Sequence, residues 1–120
     1  MFCLQFVSLT KKKSTMRLIS ALELHHAMKQ GQLFEIIDIR EPYEYAAANI
    51  GSTHIPMGEI CNRTAELPTN SNIVIMCRSG KRAEAVANIL MTEYSIPNVF
   101  VLDGGILAWK EQIDATLDLD

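Results

Sequence analysis

The sequence predicts an α/β domain built around a parallel sheet, and two of its features, with one rule of chain topology, carry that prediction. Segments of strand length, largely apolar at 34–39 and continuously so at 73–76 and 99–102, alternate with segments whose apolar residues recur at helical spacing. Turn-forming residues punctuate the alternation at Gly31, at Pro68-Thr69-Asn70-Ser71-Asn72 and at Gly104-Gly105. Strands joined through helices run parallel, because the right-handed crossover returns the chain to the same end of the sheet.

Ordered structure is predicted to begin at Met16-Arg17-Leu18-Ile19. Ser20 and Glu23 have capping-box spacing, in which the hydroxyl accepts a free N–H of the first turn while the carboxylate reaches back. Leu22, Leu24, Ala27 and Met28 then supply an apolar helix face, and Gly31 closes the segment. His25 and His26 are read as surface or boundary residues, since no third ligand candidate lies at metal spacing. The strand at 34–39 ends in Asp38 and Arg40, followed by Glu41-Pro42, where proline suits the first turn of a helix over 43–48. Thr53-His54-Ile55-Pro56 reads as a short strand stopped by its proline, and 57–67 as one or two irregular helical turns. The strand at 73–76 leads through a six-residue loop, 77–82, into a helix over 83–94 that aligns Val86, Ala87, Leu90 and Met91. A strand at 99–102 and a helix over 106–112, with Trp109 as a core anchor, complete the order.

With 120 residues, 48% of them hydrophobic and 21% charged, the chain fits one globular domain with a sizeable core. Its apolar runs fall well short of the ~20 residues a membrane span requires, so no membrane partner is expected. A formal net charge of −3 argues against a general nucleic-acid binder. Cys3, Cys61 and Cys77 form no CxxC or Cys/His pair at metal spacing, and their odd number closes no disulfide framework. The expectation is a reducing, cytoplasmic compartment, with no metal and no cofactor. Residues 1–15 place their apolar part before their lysines, the reverse of a secretory signal. They are read as a segment ahead of a domain at 16–120, and a tail, an added strand and an upstream start all fit them.

In a parallel sheet, ligands collect beyond the carboxyl ends of the strands. Three segments are predicted to converge there: 38–40, 103–105, and the loop Cys77-Arg78-Ser79-Gly80-Lys81-Arg82. A loop entering a helix N-terminus presents unpaired backbone N–H groups and the positive end of the helix dipole. Arg78, Lys81 and Arg82 add positive potential, so every local term favours thiolate over thiol, and the thiolate is the nucleophile. Gly80 supplies the positive φ or close backbone approach that a tight anion cradle requires. Activation of this kind dispenses with an adjacent histidine base. The plain alternative is a small buried cysteine ending a strand; three cations and a glycine in the next five positions weigh against it.

The segments IIDIREPYEY, HIPMGEI, IVIMCRSGKRAEAVANIL and VFVLDGGILAWK resemble, in that order, the signature segments of the single-domain rhodaneses, together spanning roughly residues 18–112. The resemblance implies a five-stranded parallel sheet with helices on both faces and a thiosulfate sulfurtransferase-like activity. In that reading Cys77 takes a sulfane sulfur from a small anionic donor such as thiosulfate, forms a persulfide, and passes the outer sulfur to cyanide, a thiol or a carrier protein. Backbone N–H groups of residues 78–82 would hold the persulfide, and Arg78, Lys81 and Arg82 the donor's anionic group. Asp38 and Arg40 would form a structural pair bracing the loop.

Cysteine phosphatases with a similar loop space cysteine and arginine as C-x5-R. Here Arg82 follows four intervening residues and Ala83 takes the place that would complete the longer motif, which suits one added sulfur better than a tetrahedral phosphate. The cationic loop is more similar to that of the thiosulfate-using branch than of the mercaptopyruvate-using one. Ala48-Asn49-Ile50-Gly51-Ser52-Thr53 departs from the Gly-His-Ile-Pro-Gly-Ala common in the family, and is similar to rhodanese modules that accompany adenylating enzymes and deliver sulfur to a carrier protein. A non-catalytic binding or sulfur-presenting module is the competing expectation. Cys61 is read as a packing residue, with resolution of a Cys77 persulfide as the other possibility.

Overall fold

The computed structural model describes residues 16–119; the segment expected over 1–15 lies outside them. Strands and helices alternate in the order β1 (Leu18–Ile19), α1 (Ala21–Lys29), β2 (Phe34–Asp38), α2 (Pro42–Ala47), β3 (Thr53–His54) and α3 (Met57–Ile60), and after a 3-10 turn (Thr64–Glu66) continue as β4 (Asn72–Met76), α4 (Lys81–Glu93), β5 (Val99–Leu102) and α5 (Gly105–Gln112). The strands form one five-stranded parallel sheet in the spatial order β1-β5-β4-β2-β3. Its central pair runs in register from Phe34 opposite Asn72 to Asp38 opposite Met76.

Both faces of this sheet are covered, which explains why Ile73–Met76 of β4 and Val99–Leu102 of β5 read as unbroken apolar runs. Ile73 and Ile75 of β4 point to one side, where they meet Ala83, Val86, Ala87 and Leu90 of α4 and Ile60 of α3. Val74 and Met76 point to the other side, against Ala21 and Leu24 of α1 and Ile106 and Trp109 of α5. Trp109 is thus a core anchor, as expected, with the His25 ring edge-on to its indole at 5.8 Å. His25 is half-buried and His26 exposed. Among the described residues no helix is long and apolar enough to cross a membrane.

The capping box of α1 forms as predicted: Glu23 N–H donates to Ser20 Oγ at 3.0 Å and Ser20 N–H to Glu23 Oε1 at 2.9 Å. The apolar face expected there needs correction. Ala21 and Leu24, three apart, are the buried pair, while Leu22 and Met28 are 58% and 40% exposed. Three residues bring the chain back nearly to the same side of a helix, whereas Leu22 is turned about 100° from Ala21.

A second correction concerns the loop after β4. The helix α4 begins at Lys81, so the loop is Cys77–Gly80, four residues instead of six, and Lys81 and Arg82 occupy the first helical turn. Gly80 makes this abrupt start possible: its φ of 105° reverses the chain in a conformation that side-chain-bearing residues rarely adopt. The strand β1, which no sequence pattern marks, is two residues long, too short for a period. It is held at the sheet edge by Val101 N–H to Arg17 O and Asp103 N–H to Ile19 O, both 2.9 Å.

Candidate active site

Cys77 leaves β4 at the carboxyl end of the sheet with no exposed surface. Its sulfur accepts two backbone hydrogen bonds, from Gly80 N–H at 3.1 Å and from Ala83 N–H at 3.4 Å. Both donors are expected at this place, because the first N–H groups of a helix have no partner within it. Of these two donors, Gly80 lies within the range 78–82 and Ala83 one residue beyond it. Ala83 escaped the sequence reading because what it contributes is its main chain, which any residue carries.

A second helix end completes the loop. Ile106 N–H and Leu107 N–H, in the first turn of α5, donate to Cys77 O at 2.9 Å and Arg78 O at 3.1 Å. The carbonyls of the loop are thereby drawn toward α5, and the N–H groups at the start of α4 are left to face the sulfur. The convergence predicted for 103–105 is real, and its instrument is Gly105. A Cβ on this residue would lie 2.5 Å from Cys77 O and 2.3 Å from Arg78 O, so the two backbones meet at a distance only glycine permits.

The loop cations are less available than their sequence implies. Arg82 Nη1 and Nη2 donate to Glu44 Oε1 and Oε2 at 2.9 and 3.1 Å, a two-pronged ion pair. Arg78 Nη1 donates to Leu119 O at 2.8 Å. Lys81 is exposed, as is Ser79, whose neighbours in the loop do the bonding.

A family match settles the kinship: residues 20–112 fit the family model described as the rhodanese-like domain. The chain belongs to the rhodanese-like family. A putative sulfur carrier protein of Bacillus subtilis, YrkF, is 46% identical over 56 residues, covering 46% of this chain but only 30% of that protein. A sulfurtransferase of Allochromatium vinosum is 40% identical over 76 residues, covering 62% of this chain and 69% of that one. Among solved structures, a rhodanese-related protein from Thermoplasma volcanium matches with a TM-score of 0.71 at 26% identity, over 87% of this chain and 99% of the other.

In this rhodanese-like domain Asp38 and Arg40 do pair, fully inside the protein. Arg40 Nε donates to Asp38 Oδ1 at 2.9 Å and Nη2 to Oδ2 at 2.8 Å, while Arg40 N–H also donates to Oδ1 at 3.0 Å. The remaining guanidinium donors reach the end of α2, at Ala48 O (2.8 Å) and Glu44 O (3.4 Å). The pair is thereby tied to α2, the helix whose Glu44 side chain meets Arg82 at the start of α4. Asn49, at the sequence departure noted above, ties the same region by accepting Gly51 N–H at 2.8 Å and donating to Tyr45 O at 3.0 Å.

A cleft of about 260 Å3 opens beside the loop, lined by Arg40, Tyr43, Glu44, Ala47, Arg78 and Leu119. A larger, shallower depression of about 550 Å3 lies at the amino ends of the strands, around Leu33, Asn72 and Asn98, away from any reactive group. Size does not mark the site here; the sulfur and its donors do. Cys61 and Cys77 are both free thiols. Cys61 is half-buried against the core cluster that includes Cys77, as expected of a packing residue, and its presence beside the Tyr94 hydroxyl raises the Tyr94 pKa.

The Arg82 guanidinium holds the Glu44 carboxyl below its ordinary value, against the upward push of burial, and the Glu41 N–H and the Arg40 charge act the same way as Arg82. A carboxylate with a lowered folded-state pKa adds stability that is complete above its unfolded value and lost as pH falls through the folded one. Urea midpoints measured downward from pH 6 should accordingly fall more steeply below about pH 4.5 for the native protein than for Glu44→Gln. Parallel curves would show that the pair adds nothing to stability.

Proposed function

We propose that this protein is a sulfurtransferase that carries a sulfane sulfur as a persulfide on Cys77. The observation that carries the reading is the Cys77 sulfur receiving Gly80 and Ala83 N–H at the start of α4. Donors fixed in place before the reaction stabilise negative charge on sulfur without reorganising. Two anions need that help in turn, the attacking thiolate and the persulfide it becomes.

The steps balance without an oxidant or reductant. The Cys77 thiolate attacks the outer sulfur of thiosulfate, a new S–S bond forms, and the S–S bond of the donor breaks with its electron pair leaving on sulfite. The resulting persulfide anion gives its outer sulfur to cyanide, forming thiocyanate, or to a thiol or carrier protein, and Cys77 returns as thiolate. A sulfur with no exposed surface favours donors that present one protruding sulfur atom. The loop length supports the same choice, since Arg82 follows Cys77 after four residues and helix α4 has already begun. A cytoplasmic setting keeps the thiol reduced between turnovers.

Intact mass tests the proposal directly. Incubation with thiosulfate is expected to add ~32 Da, one sulfur, to the native protein, and cyanide to remove it, while Cys77→Ser stays unchanged. The same gain on Cys77→Ser would sink the assignment of Cys77, and no gain on the native protein would favour a binding module. Robust hydrolysis of an aryl phosphate would replace the proposal with a phosphatase.

A further inference from the structure

We propose that Glu44 determines how tightly the site holds an anionic donor, by keeping Arg82 from it. This rests on the sulfur-transfer reading above and names the residue that tunes the same site for donor charge. Three observations lead to it. Glu44 grips Arg82 through both carboxylate oxygens, and its side chain is only 16% exposed. Arg82 is within electrostatic reach of Cys77, which is among the influences that raise the Arg82 pKa, after the stronger one from Glu44. Glu44 itself lines the cleft beside Arg78.

Two of the cationic charges around the cleft are thus answered by carboxylates from within. Arg40 is neutralised by Asp38 and Arg82 by Glu44. An arriving dianion meets a carboxylate in the cleft wall and a guanidinium already engaged. Removing the Glu44 charge has two effects of the same sign: it frees Arg82 for the donor, and it removes a repulsion. Glu44 is a positioning residue here, because it acts on the donor through Arg82.

Glu44→Gln isolates this role. Glutamine at this position can still accept the Glu41 N–H, now received by Glu44 at 2.9 Å, so the start of α2 is preserved. The variant is expected to lower KM for thiosulfate about two- to fivefold at low salt, the range of a partly exposed ion pair, with kcat moving less than KM. Rising ionic strength should erase the difference. A monoanionic donor, an alkyl thiosulfonate, should gain less than dianionic thiosulfate, and Glu44→Asp, which keeps the charge, should stay nearer the native KM. A merely structural role predicts something else: kcat falls equally for both donors, or KM is unchanged or higher. Either result overturns the proposal.

A binding arm keeps this test separate from the sulfur-transfer reading. In Cys77→Ser protein, which cannot turn over, sulfite affinity measured by calorimetry is expected to rise about two- to fivefold when Glu44→Gln is added. Unchanged affinity refutes the role of Glu44 whether or not the native protein accepts sulfur. Failure of the native protein to gain sulfur, with the affinity rise intact, refutes the reaction alone.

Discussion

Gly105→Ala is expected to cut sulfur loading of Cys77 by about 100-fold, the loss that follows when reacting groups move by about 1 Å. The methyl group would fall 2.3 Å from Arg78 O, 2.5 Å from Cys77 O and 2.6 Å from Arg78 C, all main-chain atoms of the loop. None of them can rotate away as a side chain would. Gly105 also sits at a φ of 63°, where alanine is strained by about 1–3 kcal/mol. The loop must therefore retreat from α5, giving up the hydrogen bonds at Ile106 and Leu107 and shifting the sulfur from its donors. Thiosulfate-to-cyanide turnover, read beside a circular dichroism melt, checks this. Gly58→Ala is the control, since its Cβ would meet nothing within 4 Å. Activity of Gly105→Ala within tenfold of native would show that the close approach is dispensable.

The largest effect on folding is expected at Asp38. Asp38→Ala leaves the Arg40 guanidinium buried without its counter-charge, which costs about 3–5 kcal/mol. Total stabilities of small domains run about 5–15 kcal/mol, so such a loss removes a large share of the whole. The double variant Asp38→Leu with Arg40→Met should recover much of it, because a buried ion pair replaced by apolar residues of similar volume is often no less stable. Urea denaturation of the three proteins decides the matter. A cost below about 1 kcal/mol for Asp38→Ala would mean that water or the carbonyls of Glu44 and Ala48 satisfy Arg40 unaided.

Much of this architecture could be read from the chain because its strands are buried on both sides. The runs at 34–39, 73–76 and 99–102 are conspicuous for that reason, and a tight turn announces itself when glycines sit at 80 and 104–105. Cys77 was legible from its neighbours, since cations so close behind a thiol are chemically informative. What escaped the reading depends on separations that no local pattern spans. Glu44 meets Arg82 across 38 residues, and Leu119 meets Arg78 across 41. The charges of Arg78 and Arg82 were visible, but their engagements were not. Leu22 and Met28 misled for a related reason: a nine-residue helix with two buried side chains leaves its apolar face poorly defined.

Cys77 is also a member of the core, packed in one cluster with Ile37, Ile75, Ala83, Ala87 and Val101. Reactive groups on surface loops can fray while the rest of a protein stays folded, losing function first and structure later. Here the sulfur lies in the buried core, the part of a protein that is expected to open last. Heating should therefore remove sulfur acceptance and global structure in one transition. Selection on packing and selection on chemistry then fall on the same atoms, so a change that loosens the interior of α4 alters reactivity even when it lies a full helical turn from the thiol.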